Sequence, residues 1–258
     1  VEPAFALAPE RFALDLLFAS LRCGAGLAML PALGGQFIPL RVRIGLSGAF
    51  GYLLLGAPNP PVAPTDLLSL AGLAAIAGEI LIGAVAALSI HAAFAAALIA
   101  GDWLAQSMGL GFATQVDPGA APTPVVSGLF ALLGWSLFLG SGGHLLFLRL
   151  IAESHHTMPT AAALFQPDRL WAIAGWGSLA FTSGLLAALP LGATLLLVNL
   201  SLAIAARSAP QLNLFSVGFP LMLLTGLAAL PLALPALAES LSGALAAMQA
   251  EAARVLLG

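Results

Sequence analysis

Asn199-Leu-Ser-Leu-Ala-Ile-Ala-Ala-Arg207-Ser-Ala-Pro210-Gln211-Leu-Asn213-Leu-Phe215-Ser-Val-Gly218-Phe-Pro220 is the densest polar island in the C-terminal half of the chain, and apolar runs flank it on both sides. Arg207, Gln211 and Asn213 carry strong hydrogen-bonding groups, while Pro210 removes a backbone donor. Gly218 and Pro220 interrupt the chain again before the next apolar run. Lipid cannot satisfy such a knot, so its surroundings are protein or water. Carbonyls freed by Pro210 need donors, and the reading expects Arg207, Gln211 and Asn213 to cap a broken helix. The same side chains would tie it to a neighbouring subunit, with Asp117 or Glu79 as an acidic partner for Arg207. The alternative is an Arg207 that faces water or lipid headgroups at a helix end.

The flanking runs belong to a chain of 258 residues, 60% hydrophobic and 7% charged, where an average soluble domain is about 25% charged. Mean hydropathy is +1.05. These values place the chain in the membrane class. The formal net charge of -3 leaves no basic patch for nucleic acid or anionic lipid. The single cysteine, Cys23, excludes an internal disulfide. Val1 in place of Met suggests an alternative start codon or a clipped end, and the first ten residues lack the basic region of a cleavable signal peptide.

Phe12–Pro31 is about 20 residues and long enough to span a bilayer, but it contains Asp15 and Arg22 on one helix face. Its eight Leu and Phe residues contribute roughly -4 kcal/mol to insertion, and the two charges cost about +6 near the centre. The sum predicts a helix sheltered by protein, with Asp15 and Arg22 in ion pairs, and a chain that depends on partner chains. Arg41 and Arg43 mark a loop on the cytoplasmic side. Ile44–Gly56 is short for a span, and Gly45, Gly48 and Gly51 form a small-residue stripe suited to close helix contact. Four prolines within Ala57–Pro64 make a firm break. Leu67–Gly101, about 35 residues without proline, either extends beyond the bilayer or divides into two elements. Glu79 inside it is a functional candidate or a carboxylate paired with Arg22 or Arg43.

Asp102–Pro124 is a second polar island without strong periodicity, read as a loop: Met108, Gly109, Leu110, Gly111, Phe112 and Ala113 precede Asp117-Pro118. Val125–Gly140 is apolar. Glu153, His155 and His156 invite a metal reading, but adjacent histidines point about 100° apart on a helix and no further ligand has zinc spacing. Leu170–Ala206 should divide or kink at Pro190. Leu221–Ala238, interrupted by Pro231 and Pro235, precedes an amphipathic tail helix over Glu239–Gly258. No β-type alternation, repeat, dinucleotide fingerprint, P-loop or nucleophile elbow is present. The fold class is therefore all-α, made of hydrophobic hairpins with broken helices.

Three motifs in order carry a resemblance. Arg207-x-x-Pro210-Gln211-x-Asn213-x-Phe215-x-x-Gly218-x-Pro220 resembles the pattern near the last hairpin of the FliR family, a component of the flagellar type III export gate with homologues in virulence injectisomes. Gln106-Ser-Met108-Gly109 through Asp117-Pro118 is similar to a second family segment, with Leu110 where the family often has Phe. Pro39-Leu-Arg41-Val-Arg43 and Glu79-Ile-Leu-Ile-Gly83 resemble further elements, and Gly143-His144, Glu153-Ser154 and Pro159 resemble the flagellar branch. The resemblance covers about Phe12 to Ala238. It implies a single domain over 1–258 that assembles with FliP and FliQ into a helical conduit for unfolded flagellar proteins. FlhB and FlhA would be neighbours, the setting the basal body in the inner membrane, and the mechanism passive, with no catalysis and no cofactor. It also implies that residues 108–113 plug the pore. A virulence export-gate subunit, a proton-coupled transporter using Glu79, and an intramembrane enzyme using Glu153, His155 and His156 are the other readings.

Overall fold

The computed structural model describes residues 9–31, 38–110, 125–208 and 217–258, and every regular element among them is helical. The helices are α1 (Pro9–Met29), α2 (Leu40–Leu55), α3 (Leu70–Ser107), α4 (Val125–Gly140), α5 (Gly143–Thr157), α6 (Pro167–Ser208) and α7 (Phe219–Leu257), with a short 3₁₀ turn at Ala161–Phe165. Among the described residues α1, α3, α6 and α7 are long and apolar enough to cross a membrane. The bent pair α4–α5, broken next to Gly142 with φ +73°, makes up to five spans if it counts as one.

The expected break at Ala57–Pro64 is present, but no helix divides at Asp102, at Pro190 or at the Pro231–Pro235 pair. The 38 residues of α3 run through Asp102 as one helix, about 57 Å at 1.5 Å per residue. Pro190 lies inside α6, and Pro231 and Pro235 lie inside α7, which also absorbs the predicted tail helix. All three prolines are exposed, while Ala187, Ala188, Leu191 and Leu195 on α6 and Leu230, Leu237 and Leu241 on α7 are buried. The lost donor and ring clash therefore fall on the outer face, and packing of the inner face carries the helix through. Pro167 and Asp168 open α6: proline at the first position gives up an N–H that has no helical partner, and the carboxylate meets the positive end of the dipole.

The chain divides into two compact units. The first comprises Val1–Ala92, Gly142–Gly177 and Met248–Gly258; the second, Ala93–Ser141 and Ser178–Ala247. In the first, α1 packs on α2, where a Cβ on Gly51 would lie 3.0 Å from the backbone nitrogen of Ser20. Gly45 and Gly48 face open space, so among the described residues only Gly51 of the expected stripe makes a close contact. A Cβ on Gly83 of α3 would overlap the carbonyl oxygen of Arg22, and one on Gly26 of α1 would lie 2.7 Å from the ring of Phe147. In the second unit, glycines of α4, α6 and α7 lie against α3: Gly134 on Phe94, Gly184 on the Ala96 carbonyl, Gly192 on Trp103 and Gly226 on Met108. Its core joins Ala97, Leu104, Met108, Phe130, Leu191 and Leu241, among others.

Candidate functional site

The first unit is built around one buried guanidinium. Arg22 is 0% exposed. Its Nε donates to Glu79 Oε2 at 2.8 Å and its Nη2 to Glu79 Oε1 at 2.7 Å. This two-point fit of a planar fork on a carboxylate is the strong form of such a pair. Nη1 donates to Ser154 Oγ at 2.9 Å, and Nη2 also donates to the Met158 carbonyl at 3.1 Å. Ser154 gives its own proton to the Ile151 carbonyl, which leaves its oxygen lone pairs to Arg22. The Met158 carbonyl lies just past the end of α5, where helical partners run out. His155 holds the Ile151 carbonyl through Nδ1 at 2.9 Å. Its Nε2 lies 3.5 Å from Glu79 Oε2 without a hydrogen bond.

Helix spacing explains the convergence. Arg22 and Gly26 lie four apart on α1, as do Glu79 and Gly83 on α3, so each pair shares a face. The glycines bring the two backbones together one turn from the ion pair. Glu79 therefore takes Arg22 as its partner, not Arg43 or Arg207. Arg43 donates to the Ile38 carbonyl, and Arg41 and Arg207 are exposed. Asp15 does not pair with Arg22. It accepts the backbone N–H of Ala63 at 2.9 Å and lies 3.3 Å from Arg11, which donates to the Ala63 carbonyl. Both groups of one peptide residue in the proline-rich connection are thus clamped by one turn of α1. The charges that made α1 unfavourable for lipid are sheltered by the chain's own residues.

The second polar island divides differently from the sequence reading. Met108 is 0% exposed and belongs to the core of the second unit. Gly109 has φ +81°, with Gly109 N–H on the Gln106 carbonyl and Leu110 N–H on the Ala105 carbonyl. That is a glycine helix stop with two closing bonds, so Met108, Gly109 and Leu110 finish α3 and do not begin a free loop. Asp102 extends the helix because Ser127 of α4 donates to its carboxylate. Gly111, Phe112, Ala113, Asp117 and Pro118 lie outside the described residues, as do Pro210, Gln211, Asn213 and Phe215. Gly218 is buried just before α7, and Pro220 is exposed in its first turn.

Glu153 pairs with Arg149 at 2.6 Å on an exposed face, and His156 is exposed. Among the described residues no three His, Cys, Asp or Glu side chains gather as a metal site requires. Sequence reasoning missed Ser154, Met158, Ala63 and Ser127, all partners that long-range packing supplies. The arrangement keeps its described serines, Ser127 and Ser154, buried and bonded. It offers a buried polar tie between three segments and an anchored helix end.

The family model described as bacterial export proteins, family 1, matches residues 13–248. The flagellar biosynthetic protein FliR of Pectobacterium carotovorum is 40% identical over 218 residues, 83% of this chain and 82% of that protein. FliR of Escherichia coli is 35% identical, covering 84% and 83%. FliR of Aquifex aeolicus is 32% identical, covering 90% of both.

Proposed function

The chain belongs to the FliR family of bacterial export proteins, a membrane-embedded, non-enzymatic component of flagellar type III export, and from that premise we propose how it works. Residues 1–258 act as one functional domain in the inner membrane at the flagellar basal body. The chain joins FliP and FliQ homologues to form a conduit for unfolded flagellar proteins, with FlhB and FlhA homologues as neighbours. Its part is passive: it shapes and seals the passage. The observation that carries this reading is the match to flagellar FliR proteins over more than four fifths of the chain. A proton-carrying Glu79 is disfavoured by the two-point hold of Arg22, which keeps the carboxylate occupied.

Residues 108–113 serve as the plug. Met108, Gly109 and Leu110 are its anchor, fixed on the second unit's core, and Gly111, Phe112 and Ala113 are the part that obstructs the passage. Arg207, Pro210, Gln211, Asn213, Phe215, Gly218 and Pro220 form a contact with a neighbouring subunit, as do Arg41, Arg43, Asp117 and Pro118. Removing Gly111–Ala113 while keeping the helix stop at Gly109 tests the plug. The complex should still assemble, and the membrane should leak ions and small solutes. A deleted complex that seals like the parent overturns the plug assignment.

A further inference from the structure

We propose that Arg22 makes docking of the α1–α2 hairpin conditional on α3 and α5, so that α1 takes its place only when Glu79, Ser154 and Met158 are there to receive the guanidinium. The proposal concerns how the chain reaches its folded state and is independent of the conduit reading above.

Three observations carry it. First, the cation lies in the body of α1 at 0% exposure, and its partners are distant in the chain: Glu79 is 57 residues later, Ser154 132 and Met158 136. A guanidinium has no accessible neutral form, so α1 cannot discard the charge while it waits. Alone it is a helix whose charges outweigh its apolar residues on the insertion scale. Second, α1 and α2 hold each other through contacts of their own, Gly51 on Ser20 and Gly24 on Ser47. They can therefore remain together before they dock. Third, Gly83 and Gly26 bring α1 and α3 into backbone contact beside the ion pair. In lipid, little hydrophobic force draws two helices together, so close packing and polar ties decide whether they associate. Here both lie within one turn and form together. The clamp on Ala63 does not replace them, because Ala63 lies in the connection leading to α3 and binds Asp15, leaving Arg22 unserved.

Cys23 supplies the probe. It is the single cysteine of the sequence, follows Arg22 directly and is 0% exposed. The full chain in membrane vesicles of both orientations is treated with a membrane-impermeant maleimide, with Cys23→Ser as the blank. The parent should be labelled only after denaturation. Glu79→Ala strands the cation, and labelling should rise about tenfold or more. Arg22→Leu should stay protected, because α1 then has no cation that must be received. Arg22→Leu with Glu79→Leu should also stay protected, and it should recover yield if Glu79→Ala is degraded. The proposal is overturned if Glu79→Ala is as protected as the parent, or if the double variant labels as fast or is lost as completely as Glu79→Ala. The first result shows that docking does not need Glu79 to receive the charge, and the second makes Glu79 a packing residue.

Discussion

The two units hold their helices together by different means. The first contains seven of the eight arginines and all four histidines of the chain, and its centre is a charge bound at four points. The second has Arg207 as its one arginine and is joined by glycines set against α3, with aromatic contacts such as Phe94 on Trp135, ring centroids 4.4 Å apart. Where lipid supplies little force between helices, a polar tie and a close backbone approach are the two available means. The first unit uses both at a single crossing. The second has a smaller tie, Ser127 on Asp102 beside Gly101, and otherwise relies on shape distributed over several glycines. A tie concentrated at one point should fail at one point, whereas distributed packing should weaken gradually.

The largest effect is expected where tie and close approach meet. Gly83→Val puts side-chain atoms onto the Arg22 carbonyl, which is rigid helix backbone. Little or no folded protein should be recovered from membranes, while Gly45→Ala, which faces open space, should purify like the parent. Parent-like recovery of Gly83→Val would remove the crossing from the account. Next comes Met108→Ala in the second unit. It empties a fully buried site beneath Gly226 and should cost about 2–5 kcal/mol in thermal or denaturant unfolding. A loss of all folded protein would show the second unit to be as brittle as the first.

Ser154→Ala should be smaller. It removes one of the partners of Arg22 and leaves the two bonds to Glu79, so about 1–3 kcal/mol is expected. The same change at Ser136, exposed and bonded only within its own helix, should be nearly silent. Equal effects at the two serines would count against a central role for Arg22. The smallest expected effect is at Arg207, exposed in the last turn of α6: Arg207→Ala should change the stability of the isolated chain by no more than about 0.5 kcal/mol. If it nevertheless lowers the yield of the assembled gate, the proposed intersubunit contact gains support. If assembly and swimming are also unchanged, that contact is wrong.

What was legible in the sequence follows the same division. Composition and apolar run length gave the membrane helices, and the cost of Asp15 and Arg22 in lipid foretold their shelter in protein. Pairing of Glu79 with Arg22 was among the stated alternatives because a carboxylate in an apolar helix needs a cation. Ser154 and the Met158 carbonyl carried no local signal, since their role depends on where α5 ends. Helix boundaries were misjudged for a definite reason. Proline and aspartate read locally as stops, but Pro190, Pro231 and Pro235 face outward and Asp102 has Ser127 as a donor. Two signals were present and unused: glycine directly after an apolar run at Gly109, and Pro167-Asp168 at the start of α6.

The most direct test of the central claim is made in the cell that owns this chain. Its gene is deleted and replaced by a tagged copy, and flagellar subunits released into the medium are measured together with proteins that copurify from mild detergent. The account predicts that deletion abolishes export, that the copy restores it, and that FliP and FliQ homologues copurify with the tag. Normal export in the deletion strain, or a restored strain in which the tagged chain copurifies with neither homologue, would contradict it.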